Sequence, residues 1–185
     1  MSIRMRFPRR YAHLVARLRV PGGFLLVIAF GWLAQPSILS MEIGLPVAVA
    51  GLLLRAWAAG HLEKNARLAT SGPYAWVRNP LYLGTLLTAC GLVAASRQPL
   101  LALLFALVFA LVYLPAIQLE EEYLRELFPE FGEYAASVRA LWPRWPADSP
   151  RVRFRWSLYV RNEEYQAALG LLAGAAWLVV KLIWM

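Results

Sequence analysis

Five apolar runs divide the chain, and residues that are polar, charged or helix-breaking separate each run from the next. A helix needs about 20 predominantly apolar residues to cross a bilayer. The pattern therefore predicts an all-α, polytopic integral membrane protein with about five spanning helices, the third of them short. The runs lie at residues 22–41, 44–62, 81–96, 99–118 and 166–185.

Helix-breaking and charged residues qualify this pattern. Pro36 lies inside the first run and predicts a kink there. Arg55 lies inside the second run, where a charge must face protein or reach the interface. Short loops are expected near Glu42 and Arg97. Residues 119–141 are charged with helical spacing, and residues 142–156 form a connector rich in proline and arginine.

The composition favours a single membrane domain. Hydrophobic residues make up 60% of the 185 residues, whereas soluble domains contain about 45–50%. One compact unit is expected at this length. We assign residues 1–21 to a basic N-terminal segment, partly an amphipathic helix on the headgroups, and residues 22–185 to the membrane domain.

The basic residues predict the orientation of the chain in the membrane. Net charge is +8, with six basic residues in 1–21, three in 62–80 and seven in 119–165. Because these clusters follow the ends of apolar runs, they place the N-terminus and both polar segments in the cytoplasm and the C-terminus outside. They do not form a patch typical of a nucleic-acid partner. Arginine in excess of lysine, with short loops, favours a prokaryotic inner membrane.

The residues that commonly hold structural metals are scarce. Cys90 is the single cysteine, and His13 and His61 are the two histidines. An intrachain disulfide is excluded, and a metal site of the Cys/His type is not expected.

Residues 63–82, here called the hinge, interrupt the apolar pattern with the sequence TSGPYAWVRNPLY at their C-terminal end. Pro73 and Pro80 lack amide donors and stop a helix, and Gly72 permits a turn. Backbone groups freed in this way are tolerated at membrane depth only against protein or a polar cavity. The hinge is either a ligand-binding turn or an ordinary interfacial loop with aromatic anchors.

Residues 119–138, LEEEYLRELFPEFGEYAASV, are here called the acidic segment. Three consecutive glutamates follow the fourth apolar run. A solvated amphipathic helix explains them, but carboxylates at the mouth of a membrane span also indicate a partner.

Together the two segments resemble the integral-membrane methyltransferases that include isoprenylcysteine carboxyl methyltransferase and phosphatidylethanolamine N-methyltransferase. The resemblance runs from about Leu54 to Val138. It joins LRAWAAGHLEKNARLATSGPYAWVRNPLYLG to a downstream EExxL block across a helical hairpin. It implies S-adenosylmethionine as methyl donor, S-adenosylhomocysteine as product, and a lipophilic methyl acceptor.

The resemblance also implies roles for individual residues. It assigns catalytic roles to Arg78 and Glu120. It assigns cofactor binding to Ala66, Arg67, Leu68, Ala69, Tyr74, Asn79, Pro80, Leu81, Tyr82, Glu120 and Glu121.

The sequence departs from the family pattern in three places. Asn79 replaces the usual histidine and cannot titrate near neutral pH. The aromatic block after Phe128 is one residue shorter than usual and lacks its first tyrosine. An arginine that contacts carboxylate acceptors is absent near Ala116, which weighs against prenylcysteine as the acceptor.

Other polar residues lie close to these motifs in the sequence. Arg55, His61 and Glu63 precede the hinge, and either line the same cavity or are snorkelling and solvated residues. Residues 161–164, Arg-Asn-Glu-Glu, begin the last run, and either contact the acceptor or cap its helix.

The expected function is transfer of an activated methyl group to a membrane-embedded acceptor, a reaction that needs neither a metal nor a covalent nucleophile. The acceptor is open among a prenylcysteine carboxylate, a phospholipid amine and another small lipid. The alternative function is a non-catalytic membrane scaffold that has kept the fold.

Overall fold

The computed structural model describes residues 7–145 and 152–184. Their regular secondary structure is entirely helical. The helices are α1 (Arg9–Leu33), α2 (Ile38–Ala59), α3 (Pro80–Ser96), α4 (Pro99–Val108), α5 (Leu114–Leu127), α6 (Phe131–Ser137), α7 (Trp156–Arg161) and α8 (Tyr165–Trp184), with a 3₁₀ turn at Gly72–Ala75 and a π turn at Phe109–Tyr113.

The prediction of an all-α membrane protein is confirmed, with a span count that depends on how α1 and α3 are treated. Three helical stretches, Ile38–Ala59, Pro99–Leu127 and Tyr165–Trp184, are long and apolar enough to cross a membrane. A fourth is obtained if the two parts of α1 form one span, and Pro80–Ser96 is a shorter apolar helix. Large apolar side chains on α1, α2, α4 and α8 are exposed, as lipid-facing surfaces require.

Pro36 separates two helices instead of kinking one. α1 ends at Leu33, and α2 begins at Ile38 with Ser37 as its N-cap. The residue before a proline is biased away from helical geometry, which favours a break at this position. The apolar run 22–41 is therefore shared between two helices. Glu42 lies inside α2 and not in the loop that the sequence indicated.

α1 runs across the boundary expected between residues 21 and 22. The parts Arg9–Val15 and Val20–Leu33 meet at an angle of 52°. The bend lies just before Pro21, whose missing amide and ring disrupt the preceding helical turn. The bend thus separates the arginine-rich start of α1 from its apolar part. Residues 1–6 of the expected N-terminal segment lie outside the described residues.

The helix formed by the fourth apolar run continues well beyond the expected end of that run at residue 118. α4, the π turn and α5 form a single stretch that reaches Leu127. Pro115 has no amide to bond the carbonyl of Leu111, and the Tyr11 hydroxyl donates to that carbonyl instead, at 2.8 Å. The π turn and Pro115 thus create an acceptor that ties α1 to this stretch.

α2 and α3 pack backbone to backbone through small residues. A Cβ placed on Gly51 would lie 2.5 Å from the Thr88 amide nitrogen and 2.6 Å from the Gly84 carbonyl oxygen. A Cβ on Gly91 would lie 2.5 Å from the Gly44 carbonyl oxygen. These distances are shorter than any ordinary carbon contact. The glycines are therefore what allows the two helices to approach this closely.

Polar contacts fix the two ends of the bundle. At one end, Lys181 Nζ donates to the carbonyls of Trp32 (2.7 Å) and Ala34 (2.9 Å), which closes the C-terminus of α1. At the other end, Gln118 exchanges two hydrogen bonds with the backbone of Phe7. At this second end α2 and α5 finish and α3 and α8 begin, so it gathers the hinge and the acidic segment.

Gly91→Ala is expected to destabilise the fold because the added methyl has no space between α2 and α3. Overpacking typically costs about 1–3 kcal/mol, so the apparent Tm in detergent should fall by several degrees. Gly170→Ala is the matched control, since nothing lies within 4 Å of a Cβ at this α8 position. Alanine should leave that helix unchanged or slightly more stable. Equal melting temperatures for the two variants would contradict the close-packing argument.

Candidate functional site

A cavity of about 630 Å³ opens at the end of the bundle where the hinge meets the acidic segment. This volume is within the range of about 300–1,000 Å³ that is usual for small-molecule sites. Of the residues predicted from the sequence, Ala66 is exposed and lies outside the lining. The others all line the cavity: Arg67, Leu68, Ala69, Tyr74, Arg78, Asn79, Pro80, Leu81, Tyr82, Glu120 and Glu121.

Gly72 gives the hinge its shape. Its φ of +59° is in the left-handed region, and a Cβ there would lie 2.8 Å from the His61 ring. Pro73 follows inside the 3₁₀ turn, and Pro80 is the first residue of α3. The two prolines therefore occupy helix starts, where a missing amide costs little.

His61 does not line the cavity, although the sequence allowed it to. Its side chain is buried beneath Gly72. Nδ1 lies 2.9 Å from the Trp57 carbonyl oxygen and Nε2 lies 3.2 Å from the Val152 carbonyl oxygen. His61 therefore braces the hinge against the segment that precedes α7.

Arg78 joins the hinge to both halves of the acidic segment. Its Nε and Nη2 donate to the two carboxylate oxygens of Glu121, each at 3.0 Å. Its Nη1 donates to the carbonyls of Ala135 (2.7 Å) and Val138 (2.6 Å) at the end of α6. Bidentate pairing of this kind fixes geometry as well as charge. The Arg78 side chain is 9% exposed and positions α6 over the cavity.

Asn79 fills a structural position next to this pair. Its Nδ2 donates to Glu121 Oε1 at 2.9 Å and to the Ala140 carbonyl at 3.2 Å. The backbone amides of Arg78 and Asn79 donate to the carbonyls of Arg139 and Ala140 at 2.8 and 3.1 Å. Of the two environments that the sequence allowed for this freed backbone, protein or a polar cavity, the amides of Arg78 and Asn79 therefore have the first, because residues 139–140 satisfy them.

Backbone groups in the first part of the hinge remain open. Within the described part of the chain, the amides of Arg67, Leu68 and Ala69 have no hydrogen-bond acceptor. Arg67, Leu68 and Ala69 line the cavity, so their amides offer donors that suit an anionic group of a ligand.

Glu120 differs from the neighbouring Glu121 in its environment. It is exposed, and its Oε2 accepts a hydrogen bond from the Tyr82 hydroxyl at 2.9 Å. The Tyr82 ring packs edge-on against Tyr113 of the π turn, with centroids 6.2 Å apart. Glu120 is the only lining carboxylate without an arginine partner among the described residues.

Tyr74, which is buried, and Tyr134, which is half-buried, stay neutral beside the cavity. Burial, with help from the nearby Glu120 carboxylate, raises the pKa of the Tyr74 phenol far above its ordinary value. Burial also raises the pKa of Tyr134, whose hydroxyl donates to the Tyr74 carbonyl at 2.8 Å. These phenols can therefore donate hydrogen bonds but cannot act as bases at physiological pH.

Sequence reasoning overlooked several lining residues. Phe128, Phe131 and Tyr134 follow one another at intervals of three, which is close to a helical turn, and this aromatic spacing was a usable signal. Thr85 lies one turn after Leu81 on α3, on the same face. The other overlooked residues are Leu62, Lys64, Asn65, Tyr113, Tyr123 and Leu124.

Two of the residues before α8 reach the cavity. Glu164 lines it and contacts Arg55 of α2. Asn162 lines it while its Nδ2 donates to the carbonyls of Ala59 and Leu62 at the end of α2. Arg161 lines a smaller adjoining cavity, and Glu163 lines neither. Asn162 thus has the capping role that the sequence allowed, although for α2 rather than for α8.

Charges around the cavity are largely paired. Glu121 pairs with Arg78, Glu164 with Arg55, and Glu63 with Arg67 at 2.9 Å. Glu63 also contacts Arg155. Within the described residues, no group of three or more histidine, cysteine, aspartate or glutamate side chains is placed to hold a metal ion.

A family model described as phospholipid methyltransferase matches residues 23–130. The chain belongs to the phospholipid methyltransferase family. The family resemblance inferred from the hinge and the acidic segment is thereby confirmed. The matched residues contain both the hinge and the glutamates of α5. Tyr134, Asn162 and Glu164 lie beyond the match, so this member of the family completes its cavity with residues outside it.

Individual relatives come from bacteria and plants. Cobalt-zinc-cadmium resistance protein CzcN of Cupriavidus metallidurans is 38% identical over 62% of the chain and 53% of its own length. Nickel-cobalt-cadmium resistance protein NccN of Alcaligenes xylosoxydans is 35% identical over 61% of the chain and 53% of its own length. Protein-S-isoprenylcysteine O-methyltransferase B of Arabidopsis thaliana is 33% identical over 52% of the chain and 56% of its own length.

The chain thus spans about half the length of these curated relatives. No solved structure matches it.

Arg78→Lys is expected to loosen α6, because a lysine cannot reproduce the bidentate pair and both carbonyl contacts. Hydrogen–deuterium exchange should speed up for the amides of residues 131–140, with little change in α2 and α3. Arg139→Lys is the control, since the Arg139 side chain is exposed and makes no hydrogen bond within the described residues. Unchanged exchange in Arg78→Lys would remove Arg78 from its positioning role.

Proposed function

We propose that the protein is an S-adenosylmethionine-dependent methyltransferase that acts on a lipophilic acceptor in the membrane. The observation that carries this proposal is the convergence of the hinge and the acidic segment on one cavity, in which Glu120 has no arginine partner among the described residues. Membership of the phospholipid methyltransferase family and similarity to isoprenylcysteine O-methyltransferases support methyl transfer.

The lining residues fit the polar parts of this cofactor. Glu120 is placed to accept hydrogen bonds from hydroxyl or ammonium groups, whereas Glu121 is already occupied by Arg78 and Asn79. The open amides of residues 67–69 suit a carboxylate. The tyrosine rings offer faces to a cation. When bound, the cofactor supplies a methyl group that its sulfonium has already activated.

The remaining residues hold and enclose the reactants. We assign Arg78 a positioning role rather than a catalytic one, since its nitrogens bind Glu121 and the end of α6. Asn79 and Tyr134 serve the same purpose. Phe128 and Phe131 line the cavity with apolar rings, which favours exclusion of water from the reactants. Catalysis would then depend on orienting the donor and acceptor at near-attack distance. It requires no proton transfer by Asn79, the residue at the position of the usual histidine.

The acceptor reaches the cavity from the lipid, and the cofactor reaches it from the cytoplasm. The exposed apolar faces of α1, α2, α4 and α8 support an acceptor that is dissolved in the bilayer. The distribution of basic residues supports a cytoplasmic position for the cavity end of the bundle, and the excess of arginine over lysine, with short loops, supports a prokaryotic inner membrane. The printed names of two relatives concern resistance to metals, and we propose no metal binding for this chain.

Glu120→Gln is expected to weaken binding of S-adenosylhomocysteine by roughly 10- to 100-fold, since a hydrogen bond to a charged group contributes about 1.5–3 kcal/mol. Isothermal titration of S-adenosylhomocysteine into nanodisc-reconstituted protein measures this. Glu126→Gln is the control, an exposed α5 glutamate outside the cavity lining.

Three outcomes are decisive. Loss of affinity in Glu120→Gln alone supports the cofactor site. Equal affinity for S-adenosylhomocysteine in wild type and both variants would show that Glu120 does not contribute to cofactor binding. No binding by folded wild-type protein would overturn the proposed activity and favour a non-catalytic scaffold that has kept the fold.

A further inference from the structure

An ion pair between α2 and the start of α8 lies in the cavity wall. Arg55 Nε donates to Glu164 Oε1 at 2.5 Å, and Arg55 Nη2 contacts the same oxygen. Arg55 Nη1 donates to the Thr85 hydroxyl and, at 3.4 Å, to the Leu81 carbonyl. All three guanidinium nitrogens are therefore engaged, and the charge of Arg55 is balanced by Glu164.

The second carboxylate oxygen of Glu164 is in a different situation. Both contacts from Arg55 go to Oε1, and Oε2 has no hydrogen-bond donor within the described residues. Within the described residues, no fully buried side-chain nitrogen or oxygen lacks a hydrogen-bond partner. Oε2 must therefore keep some exposure, although Glu164 as a whole is only 5% exposed. Glu164 is one of the residues that line the cavity, so the cavity offers the space in which a ligand can reach this oxygen.

An open carboxylate oxygen in a nearly buried side chain favours one kind of ligand. Leaving it unbonded in a poorly hydrated site is unfavourable, and a donor or a cation opposite it recovers that cost. A ligand carboxylate would instead meet like charge, with the nearby guanidinium already neutralised. Among the described residues, Lys64 is the one cavity-lining cation without an acid partner, and it belongs to the hinge, not to α2 or the start of α8.

We propose that Glu164, held by Arg55, determines acceptor specificity, and that it selects a lipid whose head group donates hydrogen bonds or carries an ammonium, against a lipid carboxylate. This inference rests on the proposed methyltransferase function and concerns the same cavity. Glu164 lies beyond the residues that match the family. Arg55 has a positioning role here, since it binds Oε1 and so leaves Oε2 available to a ligand in the cavity.

The test compares two probes that share a chain and differ in head group. Dodecylamine and dodecanoate are titrated separately, below their micellar concentrations, into detergent-purified full-length protein, with and without saturating S-adenosylhomocysteine. The rise in Tm gives an apparent Kd for each probe. Wild-type protein is expected to bind the amine at least 10-fold more tightly than the carboxylate.

Glu164→Gln keeps the shape of the side chain and an oxygen for Arg55, but removes the charge. It is expected to weaken binding of dodecylamine at least 10-fold. The preference for dodecylamine over dodecanoate should therefore become smaller or reverse. Glu163→Gln is the matched control, with the same change in charge one residue earlier on a side chain that lines neither cavity. Glu163→Gln should retain the wild-type preference.

Several outcomes would overturn the inference: equal or tighter binding of dodecanoate by wild type, binding of neither probe, or an amine preference that persists in Glu164→Gln. If Glu164→Gln does not fold, Glu164→Asp takes its place: the shorter side chain draws the carboxylate back from the cavity, so amine binding should again weaken, and an unchanged amine affinity would overturn the inference. Isothermal titration of S-adenosylhomocysteine into the same sample separates the two proposals. A protein that binds it but prefers dodecanoate keeps the proposed function and loses this inference.

Discussion

The close approach of α2 and α3 is the contact on which the site depends. Glycines at positions 44, 51, 84 and 91 bring the two backbones to a separation that any side chain would prevent. The C-terminal end of α2 and the N-terminal end of α3 are then fixed relative to each other, and the hinge must close the short distance between them. Arg55 and Thr85 can meet across this contact only because neither helix has a bulky residue in between. In a bilayer, where lipid is as apolar as leucine, such van der Waals fit is a main source of helix association.

The hinge and the acidic segment are joined by a polar network that replaces the missing regular structure. Arg78 and Asn79 use side chains and amides to bind Glu121 and residues 135–140. A network that is fully satisfied in a poorly hydrated region specifies one arrangement, because each unpaired partner would be costly. Asn79, at the position where the family resemblance led us to expect a histidine, takes part in this network as an amide donor to Glu121 and Ala140.

The sequence predicted the membrane class, the third and last helices and the two motifs with good accuracy, because each depends on local signals: apolar length, proline and charge. It failed at Pro36 and Glu42, where apolar composition runs through a helix break. It also missed Tyr134, and left open the contact between Arg55 and Glu164, which are 109 residues apart. Contacts between residues that are far apart in the sequence depend on how the helices pack. The residue pattern within a single segment does not predict them. The pattern of charged and apolar residues also could not distinguish Glu120 from Glu121. Their environments differ because Arg78 pairs with Glu121 and not with Glu120.

The π turn at residues 109–113 has a consequence for how this fold can change. One extra residue in a helical turn rotates all that follows by about 100°. In the continuous stretch of α4, the π turn and α5, the apolar α4 therefore faces lipid on one side. The glutamates of α5 face the hinge on a different side. Membrane anchoring and cavity lining are in this way uncoupled within one continuous helix, and the lipid-facing half is free to diverge in sequence without moving the carboxylates.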